Sequence, residues 1–310
     1  MRKLKFNLNV DSSALLNANP IEFYSKAYVS EDVVNNFRTL PGIKNKTKIA
    51  TTAFDNLLKE SSCNFTSENQ TLSAIDIDVC SVSALAQICR FDVEASYLSL
   101  QMAKGANASF EVASFMNFYW DQMAKQIAQE VEQIRWKGDS TNVAYDDNYL
   151  GLCNGYEYIL DNTVGVVGVT AATITSSNVI GEMEKVYNKF LEKVPSAITR
   201  IEDVRIYVSP SVASAYKLAT ASGNTLAYVT KSLDLTFLDI KISVQQGLSN
   251  GKIVMTLKDN LIYAFDGEGD GQDLKAVNLE ETVAEPLLRT RANLKIGFAV
   301  VNPTEIVYYS

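Results

Sequence analysis

The stretch NASFEVASFMNFYWDQMAKQIAQEVEQIRW, residues 107–136, decides the fold. Ala113, Met116, Trp120, Met123, Ile127, Val131 and Ile134 recur at intervals of three and four, the spacing of one helix face. Phe115, Phe118 and Tyr119 widen the apolar stripe in its first half. At about 1.5 Å per residue the helix would be about 43 Å long. That is far above the mean of about 11–12 residues for a helix. Two readings compete: a coiled-coil segment, or a spine supporting a sheet in an elongated domain. The stripe is not sustained beyond one helix and its aromatic half is wide, which favours the spine. Gly138-Asp139-Ser140 is its stop.

Upstream, residues 74–80 (AIDIDVC) alternate, with Ile75, Ile77 and Val79 on one face and Asp76 and Asp78 on the other, a half-solvated strand. Cys89 to Val93 reads as a partner strand or a short helix. Residues 49 to about 72 carry a short helical piece and a polar run from Thr66 to Thr71. Residues 1–48 lack sustained periodicity and read as an extended arm, with one short helix near 29–38.

Downstream, 141–174 is loop-like. Thr175 to Ser177 caps a second helix whose face runs from Val179 to Val194, with Pro195 at its end. VRIYV (204–208) is a strand feeding Ser209-Pro210, a helix start with the hydroxyl at the cap and proline in the first turn. That helix ends near Thr220. The chain then turns to strands: parts of 235–244, then 253–257, 261–265, 287–294, 296–301 and 306–309. Helices early and strands late give an α+β fold with at least two lobes.

The 310 residues are 47% apolar and 21% charged, enough for a large core and too apolar for a disordered chain. Twenty-eight basic residues against thirty-six acidic ones give a net charge of -8, which argues against a dedicated nucleic-acid binder. No apolar run is long enough to cross a bilayer, and MRKLKFNLNV at the start lacks the apolar core of a signal peptide. The chain contains no histidine, which excludes Ser-His-Asp and Cys-His nucleophile systems and histidine-rich metal centres. The cysteines, Cys63, Cys80, Cys89 and Cys153, form no CxxC pair and read as buried free thiols of a reducing compartment.

The densest carboxylate cluster is Asp266, Glu268, Asp270 and Asp273. Its spacing resembles the front half of a calcium loop, making Asp266, Glu268 and Asp270 weak metal candidates. Position twelve of such a loop is Val277, where a glutamate belongs, so an exposed polar hairpin loop is the stronger reading. Asp146-Asp147 and Asp76/Asp78 read as solvent-side charges rather than a catalytic pair. Arg289 and Arg291 share a strand face near Lys295, as a phosphate patch or an intersubunit salt-bridge edge. Trp120 and Trp136 read as core and helix-end packing.

The order of these features resembles the major capsid protein of tailed bacteriophages, the Hong Kong 97-like fold. The segments that carry the resemblance are VEQIRWKGDSTN (131–142) with YLGLCNG (149–155), VRIYVSPSVASAYKL (204–218), IVMTLKDNLIYAFDGEGD (253–270) and LLRTRANLKIGFAVVNPTEIVYY (287–309). Together they cover about residues 107–310. The resemblance implies an N-terminal arm over 1–48 and, over 49–106, an extended loop with the first peripheral-domain strands. It implies a peripheral domain with the spine helix over 107–159, an axial domain over 160–249, and a return to the peripheral domain over 250–310. It implies self-assembly through pentameric and hexameric capsomers into an icosahedral virion shell, with no catalytic activity and no cofactor. Intersubunit contacts are expected at Lys44, Lys46, Lys48, Arg289 and Arg291. The implied partners are other copies of the chain, a portal protein, a separate scaffolding protein and packaged double-stranded DNA enclosed without sequence-specific binding, with assembly in the bacterial host cytoplasm and no membrane. An encapsulin-type compartment shell shares the fold; a surface carbohydrate-binding module and a hydrolase using the 266–273 carboxylates are the alternatives of other classes.

Overall fold

The structure is a computed structural model and describes residues 20–28, 31–54, 70–89, 112–146, 148–223, 235–266, 274–279, 284–285 and 287–310. The chain divides into two units. The first comprises Met1–Ser30, Ser81–Glu130 and Asp266–Lys295, and the second Glu31–Cys80, Val131–Phe265 and Ile296–Ser310.

The long helix is continuous. It runs Val112–Lys137 as α3, after the short α1 (Pro20–Tyr28) and α2 (Glu31–Asn36). Its 26 residues span about 39 Å at 1.5 Å each. Trp120, Ala124, Ile127, Val131 and Ile134 are buried on the expected face. Phe118 is the exception, half-exposed rather than part of the stripe. The side chains of Ala113, Phe115 and Met116 lie outside the described set. The Gly138 N–H closes the last turn on the Ile134 carbonyl at 3.0 Å, so the helix stops where the glycine stands.

In the first unit α3 lies on the strand Leu287–Val300 (β12), whose Thr290, Ala292 and Leu294 face inward. The Tyr119 hydroxyl meets Thr290 Oγ1 at 2.8 Å. From α1, Phe23 meets Trp120 edge-on at 5.6 Å and Lys26 reaches Asp121 at 3.2 Å. β12 pairs with the antiparallel β11 (Leu274–Asn278) and with β4 (Val79–Cys89).

In the second unit the last residues of β12 pair antiparallel with β10 (Leu261–Phe265), and β10 pairs in parallel with β1 (Arg38–Pro41). A six-stranded sheet has the order β5 (Val167–Val169), β13 (Val307–Tyr309), β9 (Ile253–Leu257), β6 (Val204–Val208), β8 (Ile240–Val244), β7 (Thr236–Phe237). Helix α4 (Tyr156–Asn162) follows the turn after α3, and α5 (Val179–Lys193) and α6 (Pro210–Gly223) complete this unit. Val179, Met183, Val186 and Phe190 of α5 pack with Val212 of α6 and with Val204, Ile206, Ile253, Met255 and Val307 of the sheet. Separately, β2 (Thr47–Phe54) and β3 (Gln70–Ile77) form an eight-pair antiparallel ribbon with no third strand among the described residues.

Several sequence expectations change. Residues 49–54 and 70–72 are strand; the helical piece expected within 49–72 then falls on 55–69, which lie outside the described residues. Cys89 is the last described residue of β4, and residues 90–93, where a partner strand or short helix was expected, lie outside the described residues. Within the expected arm, the short helix expected near 29–38 is α2, and α1 is a second helix; Phe23, Tyr24, Tyr28, Val33 and Phe37 are buried, the aromatic ones against rings of their own chain. Before α5, Thr175 forms a turn with Asn178 (Thr175 N to Asn178 Oδ1, 2.7 Å), and Asn178 takes the cap position without a side-chain cap bond. α6 runs three residues past Thr220, to Gly223. The strands expected at 287–294 and 296–301 are the single strand β12. The last strand, β13, joins the six-stranded sheet beside β9 rather than the sheet of β12, because Tyr309 is buried against α5 and Ala172. Residues 250–310 therefore serve both sheets.

The turn after α3 depends on one close approach. A Cβ on Gly155 would sit 2.4 Å from the Ile134 carbonyl oxygen and 2.7 Å from that of Trp136, against rigid backbone. Gly155→Ala is expected to cost about 2–4 kcal/mol by urea unfolding. Gly168→Ala, where an added Cβ meets nothing within 4 Å, should change stability by less than about 1 kcal/mol.

Candidate functional site

The second unit closes around the end of α3. Arg135 and Trp136, its last residues before Lys137, enter a box built by Phe37, Tyr156, Tyr207, Tyr263 and Phe298. Phe37 and Tyr156 stack at 5.7 Å, and Trp136 lies 5.3 Å from Tyr156 and 5.7 Å from Tyr207. The Arg135 guanidinium sits 5.1 Å from the ring centres of both Phe37 and Tyr263. Trp136 Nε1 donates to Gln245 Oε1 at 3.0 Å, and the Tyr156 hydroxyl donates to the Ile262 carbonyl at 2.7 Å. Burial pushes the phenols of Tyr156 and Tyr263 up, with Arg135 opposing the shift in both. Trp136 as helix-end packing was legible in the sequence; its partners Phe37, Tyr156, Tyr207 and Gln245 come from four other places in the chain and carried no local signal.

The turn from Gly138 to Gly155 is held by its own polar side chains. Asn142 and Asn148 cap two short 3-10 turns, and Asn154 Oδ1 accepts from Ser140 N at 2.8 Å. At its far end Cys153 is disulfide-bonded to Cys80, with Cα atoms 5.8 Å apart and a separation of 73 positions in sequence. This corrects the reading of free thiols: the pair has no short-range spacing that sequence alone could detect. Cys89 is free and half-buried, and Cys63 lies outside the described residues.

At the base of the β2–β3 ribbon, Lys46 Nζ lies 2.8 Å from Asp78 and 3.3 Å from Asp76, and Lys48 lies 3.5 Å from Asp76. The hydrogen bonds that Lys46 donates to Asp78 and Asp76 hold its ammonium above the ordinary lysine value, and Lys46 in turn depresses the Asp76 carboxyl. The alternation expected here is present: Ile77 is fully buried while Asp76 and Asp78 face water. Lys44 is exposed nearby in sequence.

On β12, Arg289 and Arg291 share the exposed face as expected. Arg289 Nε donates to Gln87 Oε1, and Arg291 Nε to Asn293 Oδ1, each at 2.8 Å. Arg291 stands opposite Lys275 in the β11 register, and no carboxylate pairs with either arginine among the described residues. Asp266 is buried, and Glu268 and Asp270 lie outside the described residues, as does Asp273. No group of three metal-ligating side chains occurs among the described residues, and no described helix is long and apolar enough to cross a membrane.

Two buried polar knots brace the six-stranded sheet. Glu157 bonds Lys252 at 2.9 Å and accepts from Ser249 N at 2.7 Å, while Lys252 also donates to the Tyr308 hydroxyl. Burial alone would lower the Lys252 pKa; the hydrogen bonds to Glu157 and Tyr308 outweigh it and hold it above the ordinary value. Glu182 takes a hydrogen bond from Lys185 at 2.7 Å and one from the Tyr309 hydroxyl at 3.0 Å.

No family model and no curated protein sequence matches this chain. Solved structures do match its fold. The procapsid of satellite phage P4 with its size-determination protein is 9% identical, with a TM-score of 0.58, covering 94% of this chain and 97% of that one. The capsid of Myoviridae phage XM1 is 10% identical, with a TM-score of 0.54, covering 89% and 90%. The virus-like particle of Pyrococcus furiosus is 11% identical, with a TM-score of 0.50, covering 96% and 97%. The chain has the α+β fold of these capsid proteins, along nearly its whole length.

The Lys185 bond, against some desolvation, keeps the Glu182 carboxyl below the ordinary 4.5. A carboxyl depressed in the folded state contributes stability above its unfolded pKa and loses it as pH falls through the folded value. Between pH 7 and about 5 the stability gap between native protein and Glu182→Gln should be constant. Below about 4.5 it should narrow, as read by urea unfolding at stepped pH.

Proposed function

We propose that this chain is the structural protein of an icosahedral phage shell, assembling with copies of itself into pentameric and hexameric capsomers around packaged double-stranded DNA. The observation that carries the reading is the length of the fold match: 94% of this chain and 97% of a chain from the satellite phage P4 procapsid. The ribbon adds support. Two strands of eight residues are marginal alone, and a shell supplies neighbouring copies to cover them. The net charge of -8 suits a wall that encloses DNA without gripping it. In this reading the chain acts without a catalytic step, in a virion assembled in the bacterial cytoplasm with a portal protein and a separate scaffolding protein. Residues around 160–249 form the capsomer-centre domain and the spine helix belongs to the peripheral one.

A second reading, a compartment shell enclosing a protein cargo, is equally compatible with the match to the Pyrococcus furiosus virus-like particle over 96% of this chain. Particle contents separate the two: nuclease-protected double-stranded DNA for the first, a bound protein cargo for the second.

Expression of the full chain, alone and with its candidate scaffold, should give closed shells of uniform diameter by negative-stain microscopy. Only small soluble species under both conditions would overturn the proposal. Arg289 and Arg291 form an exposed basic strip that fits carboxylates of a neighbouring copy. Arg289→Glu with Arg291→Glu should cut shell yield at least about tenfold, as several like-charge contacts repeat around a shell. The circular dichroism spectrum and Tm of the subunit should stay unchanged. Lys46→Ala and Lys48→Ala, whose charges already meet Asp76 and Asp78, should lower assembly less.

A further inference from the structure

The two cysteines joined by the bridge differ in access. Cys153 is 2% exposed, whereas Cys80 is half-buried. Both line an open cavity of about 480 Å³ whose wall includes Ile75, Asp78, Asn154, Tyr158 and Val301. The cavity gives a small thiol or disulfide a route to the sulfurs without unfolding. The Cys153 Sγ lies 3.9 Å from the Ile296 carbonyl, so a reduced Cys153 thiol has an acceptor in place. The reduced form therefore needs no rearrangement to keep its thiol satisfied.

The position of the bridge is mechanical. Cys80 stands three residues after Ile77, the last residue of the β2–β3 ribbon, and Cys153 anchors the turn that follows the spine helix. Between them, Gly297 of β12 lies under the corner: a Cβ there would come within 2.7 Å of the Asp78 carbonyl oxygen. Ile77 itself is fully buried with Ile262, Ala264 and Ala299. Closing the bridge fixes the ribbon's root to the packed end of α3. Opening it removes the covalent tie and leaves the root held by non-covalent contacts, among them the packing of Ile77 and the Lys46 ion pairs to Asp76 and Asp78.

We propose that Cys80–Cys153 is a redox-sensitive staple, open as a dithiol while the subunit is in a reducing cytosol and closed by a small-molecule disulfide once it leaves. The timing rests on the shell reading; the staple itself does not. Closure runs in two exchanges. The Cys80 thiol loses its proton and its sulfur attacks one sulfur of the small disulfide, forming a mixed disulfide and releasing one thiolate, which takes up a proton. The deprotonated Cys153 sulfur then attacks Cys80 Sγ, forming the internal bond and releasing the second small thiol. Two electrons pass from the cysteine pair to the small disulfide, which leaves as two thiols. Cys80 is the entry sulfur because it is the accessible one.

The test uses the unassembled full-length chain with Cys63→Ser and Cys89→Ser, so that thiol counts report this pair alone and failure to form shells cannot be mistaken for failure of the staple. Cytosol opened anaerobically into N-ethylmaleimide should show two labelled cysteines per chain, and protein treated with oxidised glutathione none. The oxidised form should melt about 5–10 °C higher than the reduced form, as a bridge closing a loop of this length predicts. Dithiothreitol should reverse both readings without denaturant. Adding Cys80→Ser should abolish the shift, and the comparison of oxidised and reduced parent needs no change at either cysteine, so it holds even if that variant fails to fold. Two free thiols after oxidation, equal melting temperatures, reduction only in denaturant, or a bridge already closed in the cytosol would each overturn the proposal.

Discussion

A buried guanidinium between two aromatic faces sets the architecture of the second unit. Arg135 is 4% exposed, and its Nε has no hydrogen-bond partner among the described residues. A charge in that position is costly unless its surroundings are arranged for it. The faces of Phe37 and Tyr263 supply that arrangement, each worth up to about 2 kcal/mol when desolvated. Because the rings must stand where they do, the segments that carry them are fixed too: the residue before β1, the middle of β10 and, through Tyr156, Tyr207 and Phe298, the start of α4, β6 and the end of β12. One turn of helix thus organises strands that lie far apart in the chain.

From that fixed point the other features follow. The helix must stop immediately after Trp136, and Gly138 and Gly155 allow the chain to double back within contact of the last carbonyls. The turn they begin ends at Cys153, which is bridged to the root of the ribbon. Among the described side chains, the ribbon enters the core at its base, through Ile49, Ile75 and Ile77. The molecule therefore combines a heavily packed centre with a two-stranded element that its own chain does not cover among the described residues. That combination suits a subunit whose last contacts come from neighbouring copies.

The parts that were legible in sequence are those whose signal is local. The period of three and four over α3, the alternation of Ile75, Asp76, Ile77 and Asp78, the VRIYV strand and the exposed face of Arg289 and Arg291 each need only a few adjacent residues to read. What stayed illegible depends on residues far apart. The Cys80–Cys153 pair spans 73 positions and matches no spacing rule. Residues 20–28 and 31–41 looked poor in self-contacts because Phe23 packs against Trp120 and Phe37 against Trp136, about a hundred residues on. The short strand β13 follows β12 with only a tight turn between, yet pairs in the other sheet because Tyr309 is claimed by Glu182 and Ala172. The sequence order of strands did not reveal which sheet each would join.

Hydrogen exchange on the free subunit and on assembled particles tests most directly whether the chain is a packed core with an element completed by its neighbours. Amides of Val131–Trp136 should be strongly protected in both states. Those of Thr51–Phe54 and Gln70–Ser73 should exchange rapidly in the free subunit and slow at least about a hundredfold on assembly, the change expected when a marginal ribbon is covered. Equal protection of the ribbon in both states, or rapid exchange at the end of α3, would contradict the account.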